Sequence, residues 1–195
     1  MGRLFALFAI AVLLSSIASD AEARRTRKSA PAERVDTRDS NTLCDGGMMI
    51  TADDQLQGCT ALITSRRLNR ENKATALYNR GNAYIGKSDF ARAIADYTEA
   101  LSLKSDYGQA FFNRAVAYRV SGNTQAAVSD YTSALAITPN DADALAGRGI
   151  AYARLAKHEL AMADLNRAIE LKPDHISALT QRGHAFVRSH QWARA

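Results

Sequence analysis

The chain has 195 residues, 47% of them apolar, and 25 Lys and Arg against 20 Asp and Glu give a net charge of +5. This length suits one domain with a short extension, and the apolar share supplies a core. Three prolines and eleven glycines are too few for a turn-rich sandwich, whereas Ala, Leu and Arg, all strong helix formers, are abundant.

Residues 1–23 read as a secretory signal peptide. Arg3 supplies a positive start, LFALFAIAVLL (4–14) an unbroken apolar run, and Ala21 and Ala23 an Ala-x-Ala pattern. Cleavage after Ala18 and after Ala23 both fit. Eleven apolar residues fall short of the roughly 20 that span a bilayer, so no stable membrane insertion is expected. The expected setting is exported, periplasmic or secreted, in a Gram-negative bacterium. Residues 24–50 open with RRTRKSAPAERVDTRD, which is polar, aperiodic and interrupted by Pro31, and they read as a disordered basic linker. Behind an export signal such a linker does not imply nucleic acid. Cys44 and Cys59 are the only cysteines. Export favours a bridge between them, and the alternative of two buried thiols stays open at this stage.

From residue 51 onward the chain repeats itself. NRGNAY at 79–84 returns as NRAVAY at 113–118, GRGIAY at 147–152 and QRGHAF at 181–186, an interval of 34 residues. The columns Gly81/Ala115/Gly149/Gly183 and Tyr84/Tyr118/Tyr152/Phe186 are followed by Ala93/Ala127/Ala161/Ala195, Tyr97/Tyr131/Leu165 and Ala100/Ala134/Ala168. Spacings of three and four put each set on one helical face. Turn residues separate the two faces, and Ser105, Pro139 and Pro173 close the units. Each unit is therefore two helices joined by a tight turn, and units must stack to bury both faces. Thr51 to Asp54 has the shape of a capping box, and QLQGCTALI (55–63) resembles AIADYTEAL (93–101), with Cys59 in the place of Tyr97. A half unit over 51–73 thus precedes the units 74–107, 108–141 and 142–175 and a partial one, 176–195. Trp192 is expected to open a second helix in that last unit. Whether Ala195 ends the protein is open: the sequence is a fragment, or its last unit is covered by another chain.

Leu-x-x-x-Gly-x-x-Tyr, then Ala, an aromatic, Ala-Leu and a closing Pro, resembles the tetratricopeptide repeat family over residues 74–195. The resemblance implies an all-α, right-handed solenoid and a protein-binding role. Departures are Ser105 in place of Pro, His158 in the aromatic column that holds Phe90 and Trp192, and Ala156-Lys157 at a turn. His158 is read as packed toward the core.

The chain lacks GxxxxGK[ST], GxSxG, HExxH and CxxC, and no activated nucleophile stands beside a base. No enzymatic activity, metal or cofactor is expected. Arg80, Arg114, Arg148 and Arg182 recur with Asp96, Asp130 and Asp164, and this ladder is read as structural pairing. In the family the first helices line the concave surface. That implies a groove flanked by Tyr78, Asn82, Phe112, Asn113, Val116, Arg119, Ile150, Arg154, His184 and Arg188, with Asp143 as the one nearby acid. A subgroup that grips chaperone C-termini shares the two asparagines but not the basic residues, and is set aside. The expected partner is a protein or peptide with an acidic segment. A self-associating scaffold, a homodimer through the C-terminal repeat, is the alternative.

Overall fold

The computed structural model describes residues 37–47, 50–65 and 67–192. The signal segment and most of the expected linker lie outside these residues, as do Ala193–Ala195. Among the described residues there are nine helices and no strand: α1 (Thr37–Asp45), α2 (Ala52–Thr64), α3 (Arg70–Gly86), α4 (Phe90–Leu103), α5 (Gly108–Val120), α6 (Thr124–Ile137), α7 (Ala142–Arg154), α8 (His158–Leu171) and α9 (Ile176–Trp192).

The caps explain the boundaries. Thr51 accepts from the Asp54 N–H at 3.2 Å and donates its own N–H to the Asp54 carboxylate at 3.2 Å, so the capping box closes and holds the Asp54 carboxyl below its usual range. Asn69, Asp89, Asn123 and Asp141 cap α3, α4, α6 and α7 by accepting one backbone N–H each. His175 does the same for α9, its Nδ1 accepting from the Ala178 N–H at 3.3 Å. α6 and α8 stop two residues before Pro139 and Pro173, and α4 stops without a proline.

The helices form consecutive hairpins, α1–α2, α3–α4, α5–α6 and α7–α8, and each hairpin packs on the next, with α9 against α7 and α8. The small-residue columns let the helices approach: Ala93, Ala100, Ala115, Ala127, Ala161 and Ala168 are fully buried. Tyr97, Tyr131 and Leu165 fill the space between. The largest cluster joins α5 through α9, from Ala115 to Ala178.

Four expectations are corrected. Thr37–Asp45 is a helix where a linker was expected, so the half unit has a first helix after all. Its hold on the stack is a close crossing: a Cβ on Gly58 would stand 2.5 Å from the Leu43 Cβ and 2.9 Å from the Ser40 carbonyl oxygen. Cys44 and Cys59 close this crossing as a disulfide with Cα atoms 4.5 Å apart. Second, α3 begins at Arg70 rather than at 74, because Asn69 caps it there. Third, His158 is exposed at the start of α8 and does not join the core. Fourth, α9 continues through Trp192, so no turn separates that residue from the first helix of the last unit.

Candidate functional site

The ladder has a uniform geometry. Arg80, Arg114 and Arg148 each grip the aspartate of their own hairpin with two parallel bonds, at 2.8 and 2.7 Å to Asp96, 2.7 and 2.9 Å to Asp130, and 2.7 and 2.9 Å to Asp164. The third guanidinium nitrogen reaches the preceding hairpin, to Thr60, Thr98 and Thr132. The aspartates are buried, and their hydrogen bonds push the arginine pKa values further up. Each arginine fork is spent on the aspartate of its own hairpin, which gives these groups a structural role. Arg182 differs: Nη1 donates to Asn166 at 3.3 Å, and no carboxylate among the described residues meets it.

The first helices α3, α5, α7 and α9 lie in sequence along one face, each contacting the next. The groove residues on them fall into two groups. In the N-terminal group, Asn113 Nδ2 donates to the Tyr78 hydroxyl at 3.1 Å and to Asn82 Oδ1 at 2.8 Å, and Asn82 Oδ1 also accepts from the Tyr97 hydroxyl at 2.7 Å. Tyr78 packs against Tyr107 with ring centres 4.9 Å apart and against Tyr97 at 5.9 Å. Burial pushes the Tyr97 hydroxyl well up and that of Tyr107 up to about 12. Much of this group's hydrogen-bonding capacity is thus spent internally. Among the described residues these bonds leave the Asn82 NH2 and the Asn113 side-chain carbonyl for a ligand. Phe112 and Val116 lean on the core, Phe112 meeting Tyr131 edge-on at 5.7 Å.

The C-terminal group encloses a cavity of about 520 Å³, lined by Arg119, Ile150, Arg154, Thr180, Gln181 and His184 among others. Arg154 donates to the Arg119 carbonyl at 3.1 Å, which ties α7 to α5. The Arg119 guanidinium lies against the Tyr131 hydroxyl and offsets part of the upward push that burial gives it. Its Nε is buried and meets no acceptor among the described residues. Asp143 does not neutralise this cavity: its carboxylate sits 3.0 Å from His175 Nε2. The side chain of Arg188 lies outside the described residues.

Sequence reasoning missed Ala153, Ile176, Ser177 and Gln181 in the cavity lining. Ile176 is the first residue of α9 and is 78% exposed. A second hollow, about 220 Å³ between α1, α2 and α3, was also missed, and Asn41, Asp45, Asn72, Thr75 and Asn79 line it. Its α1 wall lies where a linker was expected. Among the described residues no three His, Cys, Asp or Glu groups gather as a metal site, and no helix is long and apolar enough to cross a membrane.

The family model for the tetratricopeptide repeat matches residues 78–142 and 120–176, which together span half of the chain. The chain belongs to the tetratricopeptide repeat family. Stacked hairpins of this family are protein-interaction modules. No curated protein matches the chain significantly. Among solved structures it is similar to the first TPR of Spaghetti (RPAP3) bound to the HSP90 peptide SRMEEVD, at 28% identity over 62% of this chain and 95% of that one, with a TM-score of 0.60. The second TPR domain of human RPAP3, in complex with the HSP70 peptide SGPTIEEVD, is 26% identical over 60% and 98%, TM-score 0.58. MamA shares the fold at 22% identity over 71% and 79%, TM-score 0.66.

Proposed function

We propose that this tetratricopeptide repeat protein is an exported interaction module that holds an acidic peptide segment along its first-helix face. The observation that carries the reading is the convergence of Arg119, Arg154 and His184 on one cavity of about 520 Å³, with a buried Arg119 Nε that meets no acceptor among the described residues. A buried donor left unmade costs about 1–3 kcal/mol, which a carboxylate oxygen would recover. The amide groups of Asn82 and Asn113 lie along the same row of helices and suit the backbone of an extended segment. The two RPAP3 domains support the reading, since both bind peptides ending in Glu-Glu-Val-Asp. Export rests on the N-terminal sequence pattern alone.

The test is a set of labelled ten-residue peptides, acidic, neutral and basic, titrated into wild type and into Arg119→Glu/Arg154→Glu. The acidic peptides should bind in preference, and the variant should lose roughly tenfold or more. Equal binding of the peptide classes, or an unaffected variant, refutes the acidic groove.

A further inference from the structure

The hollow between α1, α2 and α3 and the cavity between α5, α7 and α9 are related by the repeat. Thr75 and Asn79 in the first stand three repeats before Ser177 and Gln181 in the second, so both openings lie on the same side of the first-helix row. Their chemistry is opposite. The cavity is lined by Arg119 and Arg154 and by no acid, the hollow by the Asp45 carboxylate and by no Lys or Arg. Asp45 is the last residue of α1, where the negative end of the helix adds to its charge. It has no ion-pair partner among the described residues, and the neighbouring charges of α3 are spent, Glu71 on Lys104 and Lys73 on Glu99. The side-chain amides of Asn41, Asn72 and Asn79 likewise bond to none of the described residues. Beneath them the floor is apolar: Leu62 and Ala76, each 5% exposed, pack with Leu68 and the disulfide.

We propose that this hollow is a second pocket of the peptide track and takes a lysine or arginine side chain of the bound segment. The proposal rests on the acidic-segment reading of the groove and adds a basic residue at a set distance from the acid. The volume of about 220 Å³ is that of a pocket for one side chain, below the roughly 300–1,000 Å³ of a small-molecule site. A long basic side chain has the matching two-part chemistry. Its methylene stem lies on Leu62, Leu68 and Ala76, and its head meets Asp45 and the amide oxygens. An acidic side chain would face Asp45 with like charge. An apolar one would strip water from Asp45 and three amides without replacing it. The hollow and the cavity lie three first-helix steps apart. At about 8–10 Å between packed helices and about 3.3 Å per extended residue, three steps are spanned by roughly seven to nine residues.

The probes are labelled peptides with two Glu at one end and a single Lys placed four, eight or twelve residues away, in both chain directions, beside the same peptide without Lys. Lys at eight residues, in one direction, should raise affinity about fivefold, and Lys at four or twelve should not. Asp45→Asn should erase that gain and leave the Lys-free peptide bound as before, with circular dichroism unchanged. If the Lys-free peptide fails to bind, the acidic-segment reading falls, and the hollow is tested alone. N-acetyl-lysine methylamide should then shift the side-chain NH2 resonances of Asn72 and Asn79 saturably in wild type and not in Asp45→Asn; resonances that stay fixed overturn the pocket too. A Lys-free peptide that binds while Lys adds nothing at any spacing, or a gain that survives Asp45→Asn, overturns the proposal. So does a gain that appears only after Arg24, Arg25, Arg27 and Lys28 are changed to Ser, since the chain's own basic segment would then be the occupant.

Discussion

Ser88, Gly122 and Ala156 hold the same turn position, with φ values of 58°, 92° and 56°. Only Gly122 takes this left-handed backbone without steric cost, and a residue with a Cβ gives up roughly 1–2 kcal/mol there. Glycine returns about 0.4–1 kcal/mol of that through the freedom it gains in the unfolded chain. Ala156→Gly should therefore raise stability by about 0.5–1 kcal/mol, and urea unfolding would show the midpoint moving up with an unchanged slope. A midpoint that falls would mean the turn is not strained. The Arg–Asp ladder makes a larger claim at this scale. Asp130→Ala strands Arg114, whose side chain is 15% exposed, and should cost about 3 kcal/mol. Replacing both partners, Arg114→Leu/Asp130→Leu, should recover much of the loss, because an apolar pair has no charge left to strand. If the double variant is no better than the single one, Arg114 contributes through Thr98 and packing instead.

At the scale of elements, α1 is the helix least supported by its own sequence. TRDSNTLCD has only Leu43 and Cys44 as apolar residues. What holds it is the crossing at Gly58 and the bridge to Cys59, fifteen residues on. Closing a loop of that length is worth about 3 kcal/mol. Cys44→Ser/Cys59→Ser should free α1: its amides should lose their protection from hydrogen exchange while those of α6 keep theirs. If α1 stays protected, its packing suffices without the bridge. The same difference explains what could be read in advance. The helices α3 to α8 were legible because their buried positions recur at helical spacing and again every 34 residues. α1 was not, since its reasons lie in another element. Within the groove, Arg119, Arg154 and His184 were legible as residues beside the core stripe of a first helix. The bond between Asn82 and Asn113 was not, because it joins side chains 31 residues apart. Two asparagines facing solvent would have left the same trace in the sequence.

For the whole molecule, a linear stack means that each hairpin is stabilised only by its neighbours. A residue's weight then depends on where in the stack its column falls. Leu145 and Leu179 hold the same position on α7 and α9 and test this directly. Leu145 is buried in the cluster that joins α5 to α9. Leu145→Ala should cost about 3 kcal/mol, the lost transfer energy plus a cavity that the packed hairpin closes only in part. It also weakens the middle of the stack, so unfolding should broaden as the two ends uncouple. Leu179→Ala removes the same atoms from a side chain that is already 38% exposed on a helix covered from one side. It should cost no more than about 1 kcal/mol and leave the transition sharp. Calorimetry on the two variants at equal concentration measures the contrast. Equal losses would mean that the outer face of α9 is covered in the purified protein.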